Sequence, residues 1–370
     1  MWKFYQPTDI VFGEGERRSI GALMKAKGFG NALLVADPAA DQLGYAQQLI
    51  DAAEGQIVAM TSDIAPNPTV DNVDNGIRMV RETGATCVVA IGGGSAMDCA
   101  KATAAAVASD YTARDLMEGK PIQGALPVIA VPTTAGTGSE VTAGAVLSDP
   151  SRNEKLAIFG SSIFPKLSIV DPELTYSCPK RVTASSGMDV LMHALDALSS
   201  VKANPATDVL AVAAAKLALK NLEQAVDHPD NQEARRNMSQ ASLLAGLAFS
   251  QTGTTGSHAC SYVLTAQYHL PHGEACAFTA DSWLLINSKA RPALNDFMKA
   301  LGYDGAESLS VHINALKKKF GMAMTLVDAG IGPEDIPDVV AECLKAKGNL
   351  LNNVAQVDAN ALQSIFKSKQ

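Results

Sequence analysis

Through the first half of the chain, short apolar runs alternate with helical patterns. Ala32-Leu33-Leu34-Val35-Ala36, Gln56-Ile57-Val58-Ala59-Met60, Cys87-Val88-Val89-Ala90-Ile91 and Val128-Ile129-Ala130-Val131 each read as a buried strand. Asp37-Pro38 closes the first and Pro132 the last, and Leu167-Ser168-Ile169-Val170 reads as one more strand before Asp171-Pro172. Between them lie amphipathic segments. In residues 70–82, Val70, Val73, Ile77 and Val80 fall on one helical face. Continuous apolar strands are buried on both faces, and their alternation with helices predicts a parallel sheet covered by helices on both sides.

From about Thr183 the alternation stops. Residues 187–200, 205–226 and 232–251 carry long helical patterns rich in Ala and Leu. The expected fold class is therefore α/β. An α/β domain with a parallel sheet is expected over residues 1–180, and an all-helical domain over 181–370. The polar stretch Thr252-Gly253-Thr254-Thr255-Gly256-Ser257 reads as a bend between helices and a candidate pocket lining.

Composition narrows the function. The chain has 370 residues, 47% hydrophobic and 18% charged, which suits a folded protein of two domains. Its formal net charge of −8 argues against a general nucleic-acid surface, which needs a basic patch. A small anionic substrate stays open, because one local cation can dominate a pocket. The opening has no apolar h-region, and no run of about 18 apolar residues occurs, so a cytoplasmic protein without signal peptide or membrane span is expected. The six cysteines are scattered without a CxxC pair and read as reduced thiols.

Gly92-Gly93-Gly94-Ser95 follows one strand and opens a helix carrying Asp98 and Lys101. Glycines let a backbone approach phosphate closely, and the helix start offers free N–H groups and a positive dipole end. Thr133, Thr134 and Thr137 lie in a second polar turn after the next strand. One glycine turn alone could be a plain connector; two at the ends of parallel strands suggest a nucleotide crevice. Asp37, at the end of the first strand, either accepts from an adenosine ribose, which favours NADH over NADPH, or serves as a turn residue.

Asp189 and His193 stand at i, i+4 in a helical run with apolar neighbours, where an unpaired carboxylate is costly. With His258 after the polar bend and His272 in Leu270-Pro271-His272-Gly273-Glu274, they make a carboxylate and three imidazoles suited to Fe(II) or Zn(II). A lone helical histidine is more often structural, and His228, His269 and His312 are read that way.

These stretches together resemble the iron-containing (group III) alcohol dehydrogenases nearly end to end. The match runs through residues 7–15, Pro66-Asn67-Pro68-Thr69, the glycine loop, 132–140, Asp171-Pro172-Glu173-Leu174, 187–197 and 258–273. The resemblance implies a Rossmann-like dinucleotide-binding domain over residues 1–180, an all-helical metal-binding and catalytic domain over 181–370, and a metal site of Asp189, His193, His258 and His272 in the cleft. It implies cofactor contacts at Asp37, Asn67, Gly93, Gly94, Ser95, Asp98, Thr133, Thr134 and Thr137, with Lys155 near the nicotinamide. NADH and Fe2+ (or Zn2+) are the implied cofactors. Two departures stand out. Many members carry a histidine where this chain has Tyr262, and the usual glutamate after the Asp/His pair is Asp196.

The segment from His258 to Glu274 looks like the branch acting on sulfoacetaldehyde, phosphonoacetaldehyde or succinic semialdehyde. Catalytic roles are expected for His272, Lys155 and Tyr262. Thr254, Thr255, Ser257, Arg152 and Lys155 are candidates for an anionic tail. A neutral short-chain aldehyde is the alternative substrate, and an NAD/zinc sugar-phosphate lyase of the dehydroquinate synthase type is the alternative class. A homodimer or larger homo-oligomer is expected, with residues 209–219 offering either an interface or a core helix.

Overall fold

The computed structural model describes residues 1–152 and 154–370. The chain divides into two compact units, one of Gln6–Ser177 and one of Met1–Tyr5 with Cys178–Gln370.

Among the described residues, the first unit holds eight strands: β1 (Asp9–Phe12), β2 (Ala32–Ala36), β3 (Ile57–Thr61), β4 (Cys87–Gly92), β5 (Val128–Pro132), β6 (Gly144–Asp149), β7 (Glu154–Phe159) and β8 (Leu167–Val170). Six form an all-parallel sheet in the order β1-β8-β5-β4-β2-β3. Successive residues of each central strand enter different cores. Leu33, Val35, Val88, Ala90, Val128 and Ala130 pack with the helices Val70–Thr83 and Gly94–Ser109. Leu34, Val89, Ile91, Ile129 and Val131 pack with Ile20, Met24 and Leu49 of the helices Ile20–Ala26 and Tyr45–Ala52. This period-2 sorting covers both faces, as the unbroken apolar runs require.

Two features go beyond the sequence reading. Strand β1 adds a sixth member at the sheet edge, paired with β8. Strands β6 and β7 form a separate antiparallel hairpin in a stretch left unassigned above. The hairpin matters because β6 is bonded to the interior of the sheet unit: the Val146 N–H donates to Asp98 and the Gly144 carbonyl accepts from Lys101.

The strand order reverses between β2 and β4, since the chain runs outward to β3 and then returns past β2 to β4. Such a switch point leaves a crevice beyond the carboxyl ends of its two strands. Asp37 follows β2 there, and Gly93 follows β4.

The second unit is built from helices. The Lys180–Leu198 helix is buried without a break from Gly187 to its end, which marks it as the central rod of the unit. Pro205–Asp227, capped by Asn204, and Gln232–Thr252, capped by Asn231, pack beside it. In residues 209–219 Ala211, Ala214, Ala215 and Ala218 are buried, which makes that face core, while Val209 is exposed. A third core gathers Ala259, Val263, Phe278, Trp283 and Phe366 near the C-terminal end. Among the described residues, no helix is long and apolar enough to cross a membrane.

Candidate metal centre and dinucleotide loops

A buried polar side chain is informative because burial without a partner is costly. In the buried run from Gly187 to the end of the central helix the polar exceptions are Asp189, His193 and Asp196, at helical spacings of four and three, so they share one face. The helix Gly256–Ala266 brings His258 to that face, and His272 opens the helix His272–Phe278. The approach of the last helix depends on Gly273, where an added Cβ would stand 1.9 Å from the Ser185 carbonyl oxygen and 3.0 Å from Asp189 Cβ.

The donors converge. Asp189 Oδ1 lies 3.5 Å from His258 Nε2 and 3.8 Å from His272 Nε2. His193 Nδ1 lies 3.7 Å from the other oxygen, Oδ2. The His193 ring stacks between Phe249 (4.1 Å) and His258 (4.6 Å). Cys276, one turn after His272, joins them with Sγ 3.7 Å from His272 Nε2. One ligand atom each from Asp189, His258, His272 and Cys276 lies within 4.8 Å of all the others. The scattered-thiol reading missed Cys276. The spacing His272/Cys276, the same i, i+4 as Asp189/His193, was the available signal.

Asp189 Oδ1, His193 Nδ1 and His258 Nε2 are buried with no hydrogen-bond partner. Three orphaned lone-pair atoms in one place would be destabilising unless a cation meets them. A carboxylate, imidazoles and a thiol fit Fe(II) or Zn(II).

Asp196 supports the cluster from behind. It accepts from His258 Nδ1 at 2.7 Å, from the Thr255 N–H at 2.7 Å and from Ser257 Oγ at 2.8 Å. The proton on Nδ1 leaves the Nε2 lone pair of His258 facing Asp189. The Ser257 hydroxyl, suggested as an anion contact, is thus engaged by this carboxylate, whereas Thr255 gives it only its backbone N–H and its Oγ1 has no partner among the described residues. Arg152 is likewise turned to Glu118 (2.9 Å) and Asp149 (3.8 Å).

Burial alone would raise the Asp189 carboxyl, but His193, His272 and His258 hold it well below the usual carboxylate range. Burial pushes His193 down to about 4, so its ring is neutral at pH 7. Burial also works against a charged His258, yet Cys276, Asp196 and Asp189 outweigh it and raise its pKa. Burial raises the Cys276 thiol, while His258 and His272 bring it down to about 7.

Tyr262 lies one helical turn beyond His258. Its phenol is raised by burial, against the influence of His258, Asn349 and Thr254, so it stays protonated through neutral pH. Thr254 Oγ1 accepts from Asn349 Nδ2 at 2.7 Å. His228 ends a helix, His269 sits in a left-handed turn (φ 57°), and the His312 ring meets Tyr303 edge-on.

In the α/β unit the loops at the switch point assemble. Asp37 Oδ1 accepts from the Ala40 N–H at 2.7 Å, capping a helix, and Oδ2 accepts from the Gly93 N–H at 3.0 Å. Asp37 therefore acts first as a brace of the glycine loop. The Gly93 N–H, expected to be open to phosphate, is engaged. The helix start beyond it, from Gly94, has no side-chain cap. Thr137 packs on Gly94, where a Cβ would come within 3.0 Å, and Thr134 lies beside Gly93. The Thr133 N–H donates to the Gly92 carbonyl at 2.9 Å. Asn67, in a left-handed conformation (φ 60°), donates its N–H to Ser95 Oγ at 3.1 Å and accepts from Lys155 Nζ at 2.7 Å. Asn is among the residues that adopt this left-handed conformation most readily.

Asp98 faces away from the loop. It accepts from Ser139 Oγ (2.8 Å) and the Val146 N–H (2.9 Å), beside a Lys101 that is fully buried and donates to Ser139, Thr142 and the Gly144 carbonyl. The Asp98 oxygens thus tie the helix to the hairpin.

Comparison with known proteins agrees on one family. Residues 7–172 match the iron-containing alcohol dehydrogenases and residues 183–370 the C-terminal part of the Fe-containing alcohol dehydrogenase family. Alcohol dehydrogenase 4 of Schizosaccharomyces pombe is 36% identical over 377 residues, covering 99% of this chain and 88% of its own. The 1-propanol dehydrogenase of Salmonella typhimurium is 40% identical over 263 residues, 70% of this chain and 68% of its own. Among solved structures, the sulfoacetaldehyde reductase of Bifidobacterium kashiwanohense in complex with NAD+ superposes with a TM-score of 0.96 at 40% identity, covering 100% of this chain and 98% of the other. Both family matches describe alcohol dehydrogenases, which sets aside the sugar-phosphate lyase alternative.

Proposed function

The chain belongs to the iron-containing alcohol dehydrogenases, NAD-linked oxidoreductases, and on that premise we propose that it reduces a small anionic aldehyde with NADH, sulfoacetaldehyde to isethionate being the favoured reaction. The observation that carries the substrate class is the full-length likeness to a sulfoacetaldehyde reductase.

In this reading Asp189, His193, His258 and His272 hold an iron or zinc ion, with Cys276 beside them. When bound, the ion supplies Lewis acidity that polarises the aldehyde carbonyl, and NADH supplies the hydride. The chain's own residues do the rest. Asp196 holds His258 in the tautomer whose Nε2 can ligate. The free N–H groups at the start of the Gly94–Ser109 helix receive the pyrophosphate. Asn67, Ser95 and Lys155 form a polar corner on the nicotinamide side. The Tyr262 hydroxyl, still protonated at neutral pH, gives its proton to the product alcohol oxygen, in the place where many relatives carry histidine. Aldehyde, NADH and one proton thus become alcohol and NAD+.

A neutral short-chain substrate has its own support, because the 1-propanol dehydrogenase is as similar in identity over the part it matches. The discriminating experiment is NADH oxidation by the Fe(II)-loaded protein with sulfoacetaldehyde, phosphonoacetaldehyde and succinic semialdehyde against acetaldehyde and propanal. A much higher kcat/KM for one anionic aldehyde is expected. Turnover of the neutral aldehydes alone would discard the anionic assignment and keep the enzyme class.

A further inference from the structure

Resting on the metal-centre reading above, we propose that Cys276 is itself a donor to the ion, giving this centre a thiolate corner that the Asp189, His193, His258 and His272 set lacks. Donors bonded to one zinc- or iron-sized ion at about 2.0–2.3 Å stand roughly 3.3–3.8 Å apart when tetrahedral. The separations here match that edge. Asp189 Oδ1 to His258 Nε2 is 3.5 Å, Asp189 Oδ1 to His272 Nε2 is 3.8 Å, and His272 Nε2 to Cys276 Sγ is 3.7 Å. Asp189 Oδ1 is the corner shared by both of those imidazoles. His193 faces the other carboxylate oxygen and is clamped between two rings, so it meets the cluster from a different side.

The position of the sulfur is set by structure rather than by side-chain freedom. Cys276 is fully buried on a short helix, one turn from His272, and Gly273 lets that helix lie against the Ser185 backbone. The other thiols fall elsewhere: Cys87 and Cys99 are in the sheet unit, Cys178 precedes the central helix, and Cys260 and Cys343 lie in the C-terminal core. A soft sulfur donor among imidazoles shifts preference toward Zn(II) relative to a hard oxygen-and-nitrogen set. The metal that this chain retains is therefore expected to depend on residue 276.

The test is optical. The apo-protein is loaded with Co(II), which reports sulfur ligation by a near-ultraviolet thiolate-to-cobalt charge-transfer band and reports binding of any kind by visible d–d bands. Wild type is expected to show both. Cys276→Ser, close in size, is expected to keep the d–d bands and lose the near-ultraviolet band. In chelator competition its Zn(II) affinity is expected to fall by about 10-fold or more, with Fe(II) affinity changing less. Visible bands without the charge-transfer band in wild type, or a band that persists in Cys276→Ser, overturn the thiolate ligand and leave the metal centre standing. Absence of visible bands in wild type overturns the centre as well. Should the variant fail to fold by circular dichroism, the wild-type spectrum alone decides.

Discussion

Lys101 in one polar cluster and Asp189, His193 and His258 in another are all buried, yet only the cluster around Lys101 is satisfied from within. Lys101 spends its three protons on Ser139, Thr142 and the Gly144 carbonyl, and Asp98 accepts from Ser139 and Val146. Around Asp189, three buried polar atoms, Asp189 Oδ1, His193 Nδ1 and His258 Nε2, have no hydrogen-bond partner among the described residues. The first arrangement is finished by folding and fastens a hairpin to a helix. The second is finished by a ligand. A buried polar group is thus evidence for function in proportion to what it still lacks.

The largest expected effect tests the satisfied cluster. Lys101→Met leaves Asp98 and Glu140 without their buried cation, so the α/β unit is expected to lose about 3–5 kcal/mol. Thermal unfolding would fall sharply, while the metal content of the folded fraction stays unchanged. Loss of metal in that variant would erase the distinction between the clusters. Next comes His272→Ala, expected to lower kcat/KM about 10²–10³-fold and to lose metal, with NADH binding by fluorescence largely intact. Full activity in a metal-free variant would sink the ligand assignment.

Asp196→Asn should weaken metal binding by about 10–100-fold, read by chelator competition, because His258 loses the partner that fixes its tautomer. Unchanged affinity would reduce Asp196 to packing. The smallest effect is in pH. Burial raises Glu140 from 4.5 to about 7, against its own backbone N–H and Lys101. Its protonated form is favoured by folding, so its contribution is complete below the ordinary carboxylate range and disappears as pH rises through about 7. Between about pH 5 and about pH 8 the Tm of wild type should drop relative to Glu140→Gln. Parallel curves would show that Glu140 keeps one charge state throughout.

Much of this was legible in the chain. The four central strands are within a residue of their expected ends, because an unbroken apolar run bounded by Pro, Asp or Gly has few other fates. The helix carrying Asp189 and His193 was legible for the same reason. Strand β1 was not, since four residues with mixed polarity carry little signal. The β6–β7 hairpin was hidden differently: β7 exposes Leu156 and Phe159, so its pattern points its apolar residues outward. Asp37 illustrates a third limit. Its position at a strand end was clear, but only the fold shows that both its oxygens hold backbone N–H groups. Cys276 escaped because its i, i+4 partner His272 was read without it, and only the docking of helices brings that pair to Asp189 and His258.

The contact at Gly273 carries one more consequence. Because an added methyl group there would collide with the Ser185 carbonyl, the donors of the two helices come into register only in the native packing. An unfolded chain offers the ion scattered groups instead of a site. Free metal concentration then acts on the folding equilibrium as a mass-action lever. A cell short of the metal would hold a smaller reservoir of folded enzyme, as well as a less active one.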